Sequence, residues 1–192
     1  MGQRSQIYVR YDNENKKGLV ANYYQWNYGE RMISRARWGI ESIKDKLKYN
    51  WYYQQESNIT KLSRMFDTNF DMKDIQMSRN IITEHREEFP DDNFNEFVFK
   101  MQGNNDGKLF VDIDNDNDII KYAFLDYDTN IDNIMDGEGY MNWNNENWLE
   151  SKHLTKEEIF ICQENIKFIS ENAKLMTKEE IEEFMNYDYG IE

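Results

Sequence analysis

Ile7, Val9 and Tyr11 recur at every second position between Ser5 and Tyr11, the pattern of a strand with one apolar face. Asp12 to Gly18 is polar and ends in glycine, and Leu19 to Trp26 is apolar and aromatic again. The stretch is therefore predicted to be a β-hairpin. Asn27-Tyr28-Gly29 interrupts it, and the period then changes. Ile33, Ala36, Ile40, Ile43 and Leu47 are spaced by threes and fours, which predicts a helix from Glu30 to about Tyr49 that Gly39 weakens without ending. Further helices are expected over residues 51–89. Ser57-Asn58 is a candidate N-cap ahead of Ile59, Leu62, Met65 and Phe66, and Ile75 to Phe89 reads as helix or strand, with helix preferred, until Pro90-Asp91-Asp92-Asn93 breaks the pattern.

Beyond that break, Phe97-Val98-Phe99-Lys100-Met101 and Lys108-Leu109-Phe110-Val111-Asp112 flank Gln102 to Gly107, and Asp106-Gly107 is hairpin turn chemistry. Ile119 to Leu125 adds another strand, so residues 97–125 are expected to form an antiparallel meander. A polar, aromatic-studded segment follows over residues 126–154. Two helices then open on the same device, Thr155-Lys156-Glu157-Glu158 and Thr177-Lys178-Glu179-Glu180, both capping boxes. Ile159, Cys162, Ile166 and Ile169 give the first an apolar face, and Ile181, Phe184 and Met185 the second. The expected fold is α+β: an antiparallel sheet made of the N-terminal hairpin and the 97–125 meander, with helices packed on one face and two C-terminal helices. The 192 residues suit one domain, with 1–89 (hairpin plus helices) and 90–192 (acidic meander plus C-terminal helices) as its subdivisions.

Charge changes the picture more than any motif. Residues 1–50 hold 10 Lys/Arg against 5 Asp/Glu, whereas residues 87–192 hold 8 against 27. Such asymmetry concerns partners rather than fold: the acidic part repels nucleic acid and anionic lipid surfaces and attracts basic grooves. The chain is not a disordered acidic tail, because 11 Phe, 13 Tyr and 5 Trp supply large areas to bury. Cys162 is the single cysteine, so no intramolecular disulfide is expected and an intracellular, cytoplasmic setting fits. Met1 to Gln6 carries no apolar leader run, Gln6 does not complete a myristoylation pattern, and no stretch approaches the length of a membrane span. Abundant Asn, Ile, Lys, Tyr and Asp, with scarce Ala and one Pro, is the bias of AT-rich coding DNA in low-GC bacteria and their phages.

Catalytic and metal chemistry finds little support. The run Asp112, Asp114, Asn115, Asp116, Asn117 and Asp118 invites a calcium reading. Counted from Asp112, however, the sixth and twelfth positions are Asn117 and Ala123, and from Asp114 they are Ile119 and Leu125, where a calcium loop needs Gly and Glu. The run is expected to be a solvated inter-strand loop. His85 and His153 are not in a metal-spaced pair, Cys162 lies on an apolar stripe, and no phosphate-binding loop or nucleophile elbow occurs. No metal or cofactor is expected, and the chain is not read as an enzyme.

Tyr23-Tyr24-Gln25-Trp26-Asn27-Tyr28-Gly29-Glu30-Arg31 is the most distinctive local run. Tyr24, Trp26, Tyr28, Arg31 and Arg35 combine stacking rings, guanidinium forks and a helix start, the ingredients of a nucleotide or phosphate site. The plainer reading is an aromatic hairpin packed on the first helix, its arginines paired with the acidic part. The stretches MGQRSQIYVRY and YYQWNYGERMISRAR resemble the start of small proteins encoded in phages and prophages of low-GC Gram-positive bacteria, over about the first forty residues. That resemblance implies a setting rather than an activity. The acidic remainder resembles, in composition, phage anti-defence proteins that mimic DNA, several anti-CRISPR proteins among them.

The expected function is accordingly that of an acidic inhibitor. It would occupy a basic groove of a host nucleic-acid-binding protein, such as a CRISPR effector, without binding nucleic acid itself. Duplex DNA carries a charge about every 1.7 Å of its axis, and carboxylates on strands, loops and helices can imitate that array. Asp112, Asp114, Asp116, Asp118, Asp126, Asp128, Asp132 and Asp136 are the candidate acidic face, and Trp143, Trp148, Tyr187 and Tyr189 the candidate aromatic anchors. The alternatives are a small-ligand binder using the N-terminal aromatic and arginine block, and an enzyme with an unrecognised site.

Overall fold

The computed structural model describes residues 4–13, 16–48, 79–82, 94–101, 106–114 and 117–189. Strands β1 (Arg4–Asn13) and β2 (Lys16–Gln25) form the N-terminal hairpin, and helix α1 spans Gly29–Lys48. The pair Arg79–Asn80 is β3, and the turn α2 (Phe94–Glu96) runs directly into a π-helical turn, Phe97–Met101. Strands β4 (Lys108–Asp114) and β5 (Ile119–Leu125) follow, then α3 (Gly137–Asn144), a 3₁₀ turn at Trp148–Glu150, α4 (Lys156–Asn172), β6 (Lys174–Leu175) and α5 (Lys178–Asn186).

The strands form one sheet in the order β3-β2-β1-β4-β5-β6. The fold is α+β as expected, but the sheet is mixed rather than antiparallel. β1 pairs antiparallel with β2 and β4 with β5, whereas the central β1–β4 pair is parallel, Gln6 opposite Lys108 and Arg10 opposite Asp112. β6 also joins β5 in parallel. Both outer strands are two residues long, β3 pairing with Asn22 and Tyr23 of β2 and β6 with Lys121 and Tyr122 of β5.

Helices cover both faces, a second departure from the expected single layer. Ile7, Val9 and Tyr11 point to one face as their alternation requires, and meet Met32, Ile33, Ala36, Ile40 and Ile43 of α1, Tyr140 and Met141 of α3, and Cys162 and Ile169 of α4. Tyr8, Phe110, Ala123 and Leu125 point the other way onto Val98, Phe99, Ile181, Phe184 and Tyr189. β1 is buried from Ser5 to Tyr11 and β4 from Lys108 to Ile113; each large apolar side chain there contributes about 1.5–3 kcal/mol.

The segment 97–101 is not the strand its composition suggests. β4 has β1 on one side and β5 on the other, so no edge remains for it. The adjacent Val98 and Phe99 are both buried, as one turn of helix permits. The carbonyls that a strand would have paired instead accept from side chains, Val98 O from the Tyr8 hydroxyl at 2.7 Å and Phe99 O from Lys108 Nζ at 2.8 Å. Of the stretch 51–89, where helices are expected, only residues 79–82 are among the described ones, and the rest lies outside them. Arg79–Asn80, where helix is preferred over strand on the sequence, form β3 against β2, and Ile81 and Ile82 are helical. Both capping boxes form, with Thr155 Oγ1 and Thr177 Oγ1 accepting from the Glu158 and Glu180 amides.

Candidate partner-binding surface

The acidic set divides between the two ends of the sheet. Asp112 belongs to β4, Asp114 and Asp118 flank the β4–β5 turn, and Asp116 lies outside the described residues. Asp126, Asp128, Asp132 and Asp136 follow the other end of β5, a seven-residue strand away, or roughly 23 Å at about 3.3 Å per residue. The set is therefore spread along the sheet rather than gathered at one end.

Asp112 is removed from any outer surface. It is 6% exposed, and Arg10, opposite it in the parallel register, donates to both carboxylate oxygens from Nε and Nη2 at 2.8 Å. The rest of the guanidinium reaches Glu183 of α5 at 2.8 and 2.9 Å, and its central carbon lies 4.9 Å from the centre of the Phe184 ring. The Arg10 hydrogen bonds hold the Glu183 carboxyl below its ordinary value. Lys121 pairs with Glu180 at 2.9 Å, so the face of α5 turned to the sheet is neutralised by the strands beneath it. Asp114 accepts from Asn117 N and Nδ2, and Asp132 pairs with Lys178. Asp136 is the N-cap of α3, accepting from the Gly139 amide at 2.7 Å. Asp118, at φ 53°, and Asp128 are exposed.

Of the four proposed anchors, two are core residues: Trp148 is 2% exposed and Tyr189 is 4% exposed, its hydroxyl donating to Phe184 O. Tyr187 is half-buried and accepts from the Lys17 amide. Trp143 alone sits at a sheet end with part of its ring open, 6.3 Å from the Tyr127 ring and 5.9 Å from Tyr140. The nucleotide-site block divides as well. Tyr24 and Arg35 are buried, with the guanidinium 4.5 Å over the ring and Nε donating to Asn27 Oδ1 at 2.9 Å. Of the rest, Trp26 is exposed and Tyr28 and Arg31 are half-buried. Arg31 lies 5.7 Å from the centre of the Tyr28 ring and donates to Trp26 O at 3.1 Å.

Sequence reasoning missed the turn after β5. Lys108 opens β4 inside the protein, and its ammonium donates to Phe99 O, to Tyr127 O at 3.2 Å and to Thr129 Oγ1. Three N–H donors meet three acceptors, which is full satisfaction for an ammonium. Burial pulls its pKa down to about 8, opposed by Asp126 and Asp128, so it is still cationic near neutral pH. Above it, Asp126 O accepts from the Thr129 amide and Asp126 Oδ1 from the Asn130 amide, and Thr129 takes φ 60°. The turn thereby holds out Tyr127, 50% exposed, between two carboxylates. A lysine opening an apolar strand, followed later by Asp-Tyr-Asp, was the available signal.

The same end of the sheet carries Trp26, 43% exposed and at φ 57°, a conformation bulky residues rarely adopt. Next to it Asn27 is fully buried and donates to Ser5 Oγ at 2.6 Å and Met32 Sδ at 3.2 Å, which fixes the bend. Among the described residues no group of three side chains could hold a metal ion, and no helix is long and apolar enough to cross a membrane. Cys162 is buried, and burial with the nearby Glu30 pushes its thiol up to about 12. No family model matches the chain, and neither does any curated protein or solved structure.

Proposed function

We propose that the protein is an acidic binding protein that occupies a Lys/Arg-lined groove of a nucleic-acid-handling partner, in the manner of phage anti-defence inhibitors. The observation that carries the reading is the stretch from Asp126 to Glu164. Every carboxylate in it except the half-buried Asp126 is exposed, and Lys152 and Lys156 are its only lysines or arginines. It includes the turn after β5, α3, the 3₁₀ turn and the first half of α4, so the anions are held on ordered elements rather than on a tail. Arg10, Arg35 and Lys108 are used inside the protein and offset little of that outward charge.

A fixed anionic surface of this kind steers association and makes affinity fall with salt. The test is capture from host lysate at low and high salt, followed by competition. A partner released by salt should lose its bound nucleic acid when the protein is added in equimolar amount. A captured partner that retains its nucleic acid would overturn groove occupancy.

A further inference from the structure

The ends of β2, β1, β4 and β5 lie in register, with Gln25 opposite Arg4, Gln6 opposite Lys108, and Lys108 opposite Leu125. Trp26 therefore leaves the sheet at the same end as Tyr127, three strand spacings away, or about 14 Å. Between them, Trp143 closes over Gly107; a Cβ there would lie 3.1 Å from its ring. Two exposed rings and one partly exposed ring thus share one sheet end. Trp26 and Tyr127 are both held outward by buried groups, Asn27 in one case and Lys108 in the other.

We infer that this aromatic end is the anchor of the partner interface, and that it seats arginine or lysine side chains of a cationic groove on the Tyr127 and Trp143 rings. The inference rests on the acidic-ligand reading above. Ring faces attract guanidinium and ammonium groups, and Asp126 and Asp128 flank the Tyr127 ring with the complementary charge. Internal examples exist in the same chain, where Arg35 lies over Tyr24 and Arg37 lies 4.9 Å from the centre of the Phe168 ring. Tyrosine and tryptophan on a prefixed backbone give contact area with little ordering cost, the usual character of binding hot spots. Trp26 supplies a second contact far enough away to fix the orientation of an extended partner.

A nona-arginine peptide titrated into the full chain, followed by calorimetry and amide NMR, tests this. Binding should shift the Tyr127–Thr129 amides and the Trp143 indole most. Tyr127→Ala should weaken binding about tenfold with the remaining spectrum unchanged. Asp118→Asn, which removes one charge at the far end of β5, should weaken it less than about twofold. Equal losses in the two variants, or shifts spread evenly over α3, α4 and α5, would overturn the anchor while leaving the acidic-ligand reading intact. No binding of the peptide at all would overturn that reading and the anchor with it.

Discussion

Replacing Arg10 by Met keeps most of the side-chain stem and removes the charge that satisfies Asp112. The two arms of the guanidinium differ in value because their environments differ. Asp112 has a side chain 8% exposed, against 59% for Glu183. Removing the cation leaves Asp112 as an uncompensated anion within the sheet, which costs about 3–5 kcal/mol. The lost contact with Phe184 contributes within that figure. Glu183→Gln breaks only the outer arm and should cost about 0.5–1 kcal/mol. Arg10→Met combined with Asp112→Leu removes both buried charges and should recover most of the loss. Urea unfolding followed by circular dichroism reads all three variants. Against a total of about 5–15 kcal/mol, the single Arg10 change would be plain as a drop in midpoint. The reasoning is refuted if Arg10→Met and Glu183→Gln cost the same, or if the double variant is less stable than Arg10→Met alone.

Further outcomes follow from the same geometry. Gly107→Ala should cost about 2–4 kcal/mol in thermal or urea unfolding, because φ is 82° and the new Cβ would lie 2.7 Å from the Leu125 carbonyl. Lys108→Met should cost about 2 kcal/mol, limited because Thr129 Oγ1 still donates to Phe99 O, and hydrogen exchange should quicken at residues 127–130. Glu183 has a folded-state pKa below its ordinary 4.5, so its stabilisation is complete above that value and is lost as pH falls through the lower one; Glu183→Gln should show a shallower acid limb in unfolding. Cys162 should resist alkylation at pH 8 in the native state and react at once in denaturant, read by mass spectrometry.

Local signals were legible. The N-terminal hairpin, α1 and both capped C-terminal helices follow from spacing of two or of three and four residues, and from Thr-x-x-Glu, none of which needs distant information. What the sequence hid depends on pairing between residues far apart. Arg10 and Asp112 are 102 positions apart and meet only because β1 and β4 run parallel. That pairing also displaced 97–101 from the sheet, since its apolar run satisfies a buried turn as well as a strand. The acidic residues were visible one by one, but whether they gather is decided by strand direction: β5 carries Asp118 and Asp126 to opposite ends. Tyr24 and Arg35 looked like a ligand site for the same reason that they make good interior partners, a ring face beside a guanidinium.

The seam between β1 and β4 also constrains how the chain reaches this state. On the ribosome, the first hairpin emerges with the inner margin of β1 bare, and its complement is not synthesised until about a hundred residues later. A growing chain in that interval presents Ile7, Tyr8 and Val9 without their strand neighbour. Long-range closure of this sort is slow, and the waiting intermediate is prone to pair with a second copy of itself. Yield in the cell should therefore depend on translation speed and on chaperone supply across the first two-thirds of synthesis, even where the finished protein is robust.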